Sequence, residues 1–408
     1  MNCSLPRVVM PGKLCWLAGQ RKPLMKLLLL VFMPVAVGAC GAMGPSVTGN
    51  SNLDTVDLPV TPVEDQGRFG ICWAYGTIGL VESDYKRRTG KEVNLSEEAI
   101  AFYRLAEMVT LQMHNSKTFA QYFNDTSRGF NEGFFSRILP AKKQPGELDA
   151  FELITKYGLV PQTSWNFKIN SPEARGELLR VIRQKSIRFL SGRDLETVTI
   201  DEVIDQIMVG DGAFPSRPPT EFDVDGRTMT AVNFAKSEIA FAADDFEAVE
   251  VASEAELPRW ITAVKKSLAL GYAVPMGFPI NIDRLSGGTF GAPGVSPDDP
   301  IAFARDGGHL VLVTDFVNIG GREGLVSPEE ILAEVAKPAE QVDYLKFKNS
   351  WGLGAKTDAE GKPIGGSPDG YYRINRDYLV GSARAAAKGF LALNAVVPRS
   401  VLTPSANP

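Results

Sequence analysis

The sequence predicts an α+β protein in which helices fill the first half and strands the second. Two observations carry this. Trp73, Thr77, Ile78, Val81 and Tyr85 recur at helical spacing over Cys72 to Arg88, and Gly90 follows as a C-terminal stop. Later, Leu310 to Phe316, Tyr344 to Lys348 and Gly370 to Ile374 are rich in β-branched and aromatic residues and read as strands. With 408 residues the chain is long enough for a large core, and its apolar and charged fractions, 44% and 22%, are ordinary for a globular protein. No repeat is visible, and no basic cluster points to nucleic acid.

Residues 1–39 read as a signal peptide. Arg21, Lys22 and Lys26 precede the 11-residue apolar run Leu27 to Val37. A span needs roughly 17–25 apolar residues, whereas a secretory h-region needs roughly 7–15. Met25-Lys26 resembles a signal start, so residues 1–24 are an upstream extension by this reading. Val37-Gly38-Ala39-Cys40 resembles a bacterial lipobox, which implies lipid on Cys40 and a membrane-anchored protein of the bacterial cell envelope. A plain signal with a chance cysteine is the other reading. Cleavage before Cys40 removes five basic residues and no acid, moving the net charge from −5 to −10. It also removes Cys3 and Cys15, leaving Cys40 and Cys72. An exported protein usually pairs its cysteines. A lone unpaired Cys72 is therefore expected to be catalytic.

Gly41 to Asp57 is rich in Gly, Ser, Thr and Asn, so residues 40–57 read as a flexible tether. Leu58 to Gln66 is expected to be extended, because Pro59 and Pro62 oppose helix. Ser96 is the N-cap of a second helix, with Glu97 and Glu98 in its first turn. Ser171 and Pro172 begin a charged helix to Ile187, and Asp201 to Val209 forms another. Ala213 to Asp225 reads as a Pro-rich loop. Leu257, Trp260, Ile261, Val264 and Leu268 form one helical face ending at Gly271, and a strand follows over Tyr272 to Phe278. Gly287-Gly288 suits a turn. Residues 396–408 read as a disordered tail.

The chemistry concentrates in three places. Gln66-Gly67-Arg68-Phe69-Gly70-Ile71-Cys72-Trp73 puts a thiol at the first turn of a helix, where the N-terminal partial charge favours thiolate. Gly307-Gly308-His309-Leu310 puts one of two histidines at the head of an apolar strand, and Lys348-Asn349-Ser350-Trp351-Gly352 follows. His114 lies in a polar stretch without a motif and reads as a surface residue.

Cys, then His, then Asn in this order resembles the papain-like cysteine peptidases (family C1) from about Pro59 to Leu379. The resemblance implies a two-lobed fold, with a helical lobe over 58–170 carrying the catalytic Cys. A β-barrel-like lobe over 259–395 carries the His and Asn. It implies Cys72 as nucleophile, His309 as base in a thiolate–imidazolium pair, Asn349 as the residue orienting His309, and Gln66 in the oxyanion hole. Trp73 and Trp351 are supporting residues, Trp351 covering the Asn–His bond. It implies a protein or peptide substrate and no cofactor. Leu95-Ser96-Glu97-Glu98 matches the family's short motif after the central helix. Phe69 stands where papains usually have a structural cysteine, and Phe134, in Asn131-Glu132-Gly133-Phe134, replaces a glycine that pairs with substrate.

His309 lies 237 positions after Cys72, against roughly 130–150 in the papain pattern, so residues 171–258 are read as an inserted subdomain. Ile154 to Pro161, and weakly Pro218 to Phe222, resemble the bleomycin hydrolase and aminopeptidase C branch. In that branch a C-terminal arm restricts cleavage to the substrate's N-terminus. Only 29 residues follow Leu379, which favours an endopeptidase, unless the insertion covers the cleft. Two other functions remain open on sequence: an acyltransferase or amidase using the same triad, and a degenerate papain fold that only binds.

Overall fold

The computed structural model describes residues 58, 60–67, 70–116, 148–291, 294–296, 298–321, 327–354 and 367–402. These belong to one compact unit. Cys40, the tether, Phe69 and Phe134 lie outside them.

Helix α1 (Cys72–Thr89) begins at the candidate nucleophile and ends where Gly90 takes a left-handed conformation and its N–H reaches Lys86 C=O. Helix α2 (Glu97–Asn115) is capped by Ser96, whose side chain accepts from Ala99 N–H. Helix α3 (Ala150–Tyr157) carries a capping box made by Asp149 and Glu152. Helix α4 (Pro172–Phe189) starts at the expected Ser171 cap, with Pro172 at its first position. A short helix, Ile200–Val203, then widens into a π-helical turn over Ile204–Met208. Ala213 to Asp225 is not all loop: β1 (Glu221–Val224) pairs antiparallel with β2 (Arg227–Thr230).

The described structure shows how the segment expected to be inserted, 171–258, is packed. Leu178, Ile182, Leu190, Val203, Ile207, Phe214 and Phe234 share one apolar core with Trp73, Ile78, Phe102 and Leu105 of α1 and α2. This segment therefore thickens the helical lobe, because its apolar face has α2 to pack against. Beyond it, β3 (Phe246–Val251) pairs along its whole length with the last strand of the chain.

The second lobe is one eight-stranded sheet in the order β3-β10-β4-β7-β8-β9-β6-β5. Helix α5 (Leu257–Ala269) buries the predicted face of Leu257, Trp260, Ile261, Val264 and Leu268. Strand β4 (Val274–Pro279) is wholly buried. The pair β5 (Leu285–Ser286) and β6 (Thr289–Phe290) is joined by Gly287-Gly288, both at positive φ, as a two-residue hairpin turn requires. Strand β7 (Gly308–Asn318) runs antiparallel between β4 and β8 (Val342–Lys348), and His309 faces Phe278 in the β4 register. Helix α6 (Pro328–Ala336) precedes β8 and is capped by Ser327. Strand β9 (Tyr371–Asn375) pairs with β8, and α7 (Arg376–Ala387) follows it.

For residues 396–402 the expected disordered tail is corrected, while 403–408 lie outside the described residues. Strand β10 (Leu393–Pro398) lies between β3 and β4. A last short helix, α8 (Arg399–Leu402), follows, with Val401 buried in the sheet's core. The alternating apolar residues Leu393, Ala395 and Val397 explain its place, because all three are fully buried.

The lobes meet where α1 crosses β7. A Cβ on Gly76 would lie 1.9 Å from Leu310 Cδ2, and one on Gly79 would lie 2.8 Å from Leu312 Cδ2. Only glycine lets the helix approach the strand this closely. That approach brings the start of α1 to the start of β7.

Candidate active site

Cys72 is the first residue of α1, and burial pushes its thiol up. The backbone N–H groups of Leu310, Trp73 and Cys72 itself pull the other way. The Leu310 N–H belongs to the residue after His309, so the sulfur lies at the head of β7. His309 is buried, and its Nε2 meets Asn349 Oδ1 at 2.7 Å. An amide oxygen only accepts, so Nε2 carries the proton and Nδ1 is left as the basic nitrogen. Burial holds the imidazole down to about 4, with the Asn349 bond opposing.

Burial acts against the charged form of both groups, while the N–H groups at the head of α1 and the Asn349 bond act in its favour.

Asn349 follows β8 directly, is fully buried, and its N–H donates to Gly370 C=O at 3.1 Å. The Trp351 ring stacks on His309 with centroids 4.9 Å apart, and meets Tyr372 edge-on. It therefore covers the His309–Asn349 pair on one side. Trp73 is buried, and its Nε1 meets no hydrogen-bond partner among the described residues. Its place is in the core behind Cys72.

Gln66 reaches the same corner from the other lobe. Asp65 bridges Trp351 in antiparallel fashion, Gly352 N–H donates to Glu64 C=O at 3.1 Å, and Gln66 N–H donates to Ser350 C=O at 2.9 Å. Ser350 Oγ donates to Gln66 Oε1 at 2.8 Å. With its oxygen occupied, the Gln66 amide keeps its NH2 group for another acceptor. The four candidates from separate parts of the sequence thus converge, while His114 is exposed at the end of α2 and bonded to Val198 C=O.

Sequence reasoning missed the polar layer behind this corner. Glu82 of α1 accepts from Thr61 Oγ1 at 2.6 Å and from Leu95 N–H at 2.8 Å. Lys348 Nζ donates to Thr61 Oγ1 at 2.9 Å and so ties β8 to the helical lobe. Tyr75 Oη lies 2.7 Å from Glu98 Oε1. The signal in the sequence was faint: an acid in the middle of an apolar helix and a lysine beside Asn349.

Among the described residues no group of His, Cys, Asp and Glu side chains is arranged to hold a metal, and no helix is long and apolar enough to cross a membrane.

Residues 50–101 match the family model described as Papain family cysteine protease. Over 43 residues, 10% of this chain and 13% of the relative, the sequence is 49% identical to cathepsin K of Gallus gallus. Over 80 residues, 17% of this chain and 22% of the relative, it is 35% identical to the oryzain gamma chain of Oryza sativa subsp. japonica. The matched stretches thus span under a quarter of those relatives' lengths. The fold is similar to that of PepW from Lactobacillus rhamnosis HN001, with a TM-score of 0.53 and 15% identity, over 86% of this chain and 82% of that one.

Proposed function

We propose that this protein is a papain-like cysteine peptidase acting on protein or peptide substrates. The observation that carries the reading is the His309 Nε2–Asn349 Oδ1 bond of 2.7 Å, which leaves Nδ1 basic beside the strand position whose N–H reaches the Cys72 sulfur. The family match over residues 50–101, which contain Gln66 and Cys72, supports it.

In this mechanism Cys72 Sγ attacks the scissile carbonyl and its proton passes to His309 Nδ1. The Gln66 NH2 and the Cys72 N–H stabilise the oxyanion. His309 gives the proton to the leaving amine, and a thioester remains on Cys72. Water then attacks, passes a proton to His309, and releases the acid and the free thiol. Asn349 holds the imidazole in the working tautomer and Trp351 keeps water from that bond.

The test is labelling of the purified protein by an epoxysuccinyl or other thiol-directed activity probe, with the labelled peptide identified by mass spectrometry. Label on Cys72, with turnover lost in Cys72→Ala and fold retained, is the expected result. Near wild-type hydrolysis by Cys72→Ala would sink the assignment. Products formed only when an amine is added would point to acyl transfer.

The lipid anchor belongs to the same proposal, on the strength of Leu27 to Cys40. Each buried methylene adds about 0.8 kcal/mol to membrane affinity, so two or more chains hold firmly. Cys40→Ser should move the protein to the soluble fraction; wild type released without detergent would support a plain signal peptide.

A further inference from the structure

Tyr75 stands one turn after Cys72 on α1 and is buried. Its hydroxyl oxygen lies 2.7 Å from Glu98 Oε1 and 3.3 Å from the carbonyl oxygen of Asp65, the residue before Gln66. A phenol has one proton, so it cannot donate to both. Which acceptor receives it depends on whether Glu98 brings a proton of its own. We propose that Tyr75 and Glu98 are positioning residues for Gln66: the Glu98 carboxyl donates to Tyr75 Oη, and the Tyr75 hydroxyl donates to the Asp65 carbonyl, fixing the Gln66 peptide to the helix that carries Cys72. This rests on the peptidase reading above.

The surroundings favour that arrangement. Glu98 is 2% exposed, and its Oε2 meets no partner among the described residues. A carboxylate there would bury a charge with one oxygen unsatisfied, which costs more than a neutral carboxyl in the same place. Burial raises the Glu98 carboxyl, against the bond from Tyr75, the helix N–H and Lys168. Glu64, which faces it from the segment before α1, raises it further. The neighbouring Glu97 is also buried with an unpartnered oxygen, and faces Glu82 and Glu64. Lys348 of β8 faces Glu82, Glu97 and Glu64, and Lys168 is 3.5 Å from Glu64. Three carboxyls thus crowd Glu98's side of the layer, and the two lysines are drawn toward other acids.

A small cavity lined by Glu64, Tyr75, Lys348, Asn349 and Ser350 lies between Tyr75 and the strand end that carries Asn349. Ser350 grips Gln66 from the β-rich lobe, and Tyr75 grips the preceding peptide from α1. The oxyanion donor is thereby referenced to the nucleophile and to the His309–Asn349 pair at once. Such referencing matters, because a misplaced donor loses much of its effect on the transition state.

The sign with pH follows. While Glu98 is protonated the chain of donors reaches Asp65. As pH rises through its raised pKa, the carboxylate takes the Tyr75 proton and the Asp65 carbonyl loses its donor.

The experiment measures kcat and KM for a peptide substrate across pH, together with the alkylation rate of Cys72 by iodoacetamide, in wild type, Tyr75→Phe and Glu98→Gln. Alkylation needs the thiol and His309 but forms no oxyanion. Tyr75→Phe should lower kcat about tenfold with KM and alkylation unchanged. Glu98→Gln, whose amide donates at every pH, should keep wild-type kcat at low pH and lose the limb in which wild-type kcat falls as pH rises. Wild-type kcat in Tyr75→Phe overturns the inference, as does a parallel loss of alkylation, which marks a general packing role. An unchanged pH limb in Glu98→Gln overturns it too, and decides alone if Tyr75→Phe does not fold. A wild type that turns over no peptide sinks the peptidase reading as well, whereas an active wild type with unaffected variants sinks only this step.

Discussion

Ser350 Oγ donates to Gln66 Oε1 at 2.8 Å, and Ser350 C=O accepts from Gln66 N–H at 2.9 Å, across 284 positions of sequence. One residue of the β-rich lobe thus fixes both the backbone and the amide direction of a residue from the helical lobe. The bond leaves the Gln66 NH2 directed away from Ser350, as an oxyanion donor requires.

Ser350→Ala should therefore lower kcat and leave KM nearly unchanged. A side-chain hydrogen bond is worth about 1 kcal/mol, which is about fivefold in rate. Gln66→Ala removes the donor itself and should cost about 10²-fold. Steady-state kinetics on one peptide checks both; a change in KM alone would argue against the oxyanion role.

Burial holds His309 down to about 4, and this sets the acid limb of activity. The base is neutral above that value, so kcat/KM should rise through about pH 4, well below the ~6.5 of a free imidazole. A midpoint near 6.5 would mean that the imidazole is solvated in the working enzyme. The same shift acts on stability. Between about 4 and 6.5 the unfolded chain binds a proton at this position that the folded chain refuses, so this contribution grows as pH rises and is lost as pH falls, by about 3 kcal/mol at most. Glu82 opposes it: burial first of all raises its carboxyl, so its contribution is present at low pH and lost as pH rises. Comparing His309→Gln with wild type by denaturant melts at several pH values isolates the histidine: their stability difference should change steadily over that window.

Gly76→Ala pits two effects against each other. The helix gains about 1 kcal/mol of intrinsic propensity. The new Cβ would stand 1.9 Å from Leu310 Cδ2, in a buried contact between lobes, and such overpacking costs about 1–3 kcal/mol. Net destabilisation is expected, with slower alkylation of Cys72, because Leu310 is displaced beside it. Leu310→Ala in the same chain should recover alkylation by making room. An undiminished melting temperature in the single variant would show that α1 and β7 can separate freely.

Local signals were legible in the sequence and lobe-to-lobe contacts were not. Helix α1 and its Gly90 stop, the Ser96 and Ser171 caps, and the hairpin at Gly287-Gly288 each depend on residues within one turn, so pattern reading found them. Cys72, His309 and Asn349 were legible because each sits in a short motif. Tyr75 with Glu98, Ser350 with Gln66, and Lys348 with Thr61 are contacts between distant segments and leave no periodic trace. Leu393 to Val397 falls in a stretch expected to pack, but the tail was read as starting at 396 because the polar and proline residues around Pro398 outweighed the apolar alternation, so the end of β10 and helix Arg399–Leu402 were not expected. The pairing of β3 with a strand at the far end of the chain is another such long-range contact.

The course of the chain also bears on what is cut. Leu391 lies against Gly308, beside the candidate base: a Cβ on that glycine would stand 3.1 Å from Leu391 Cδ1. From there β10 crosses β4, with Asn394 opposite Gly277 and Ala395 opposite Met276, and so climbs away from the His309 end of the sheet. It ends at Pro398 opposite Phe246, and Val401 then packs into the sheet's core. Residues 171–241 are committed to the core of the helical lobe. We propose internal cleavage, and two peptides of one sequence test it, one with a free and one with an acetylated N-terminus. The acetylated peptide should be cut at internal bonds at a rate within about threefold of the free one, since only a blocked cleft would need the amine for several kcal/mol of binding. Activity confined to the free amine, with stepwise loss of single residues, would overturn this proposal.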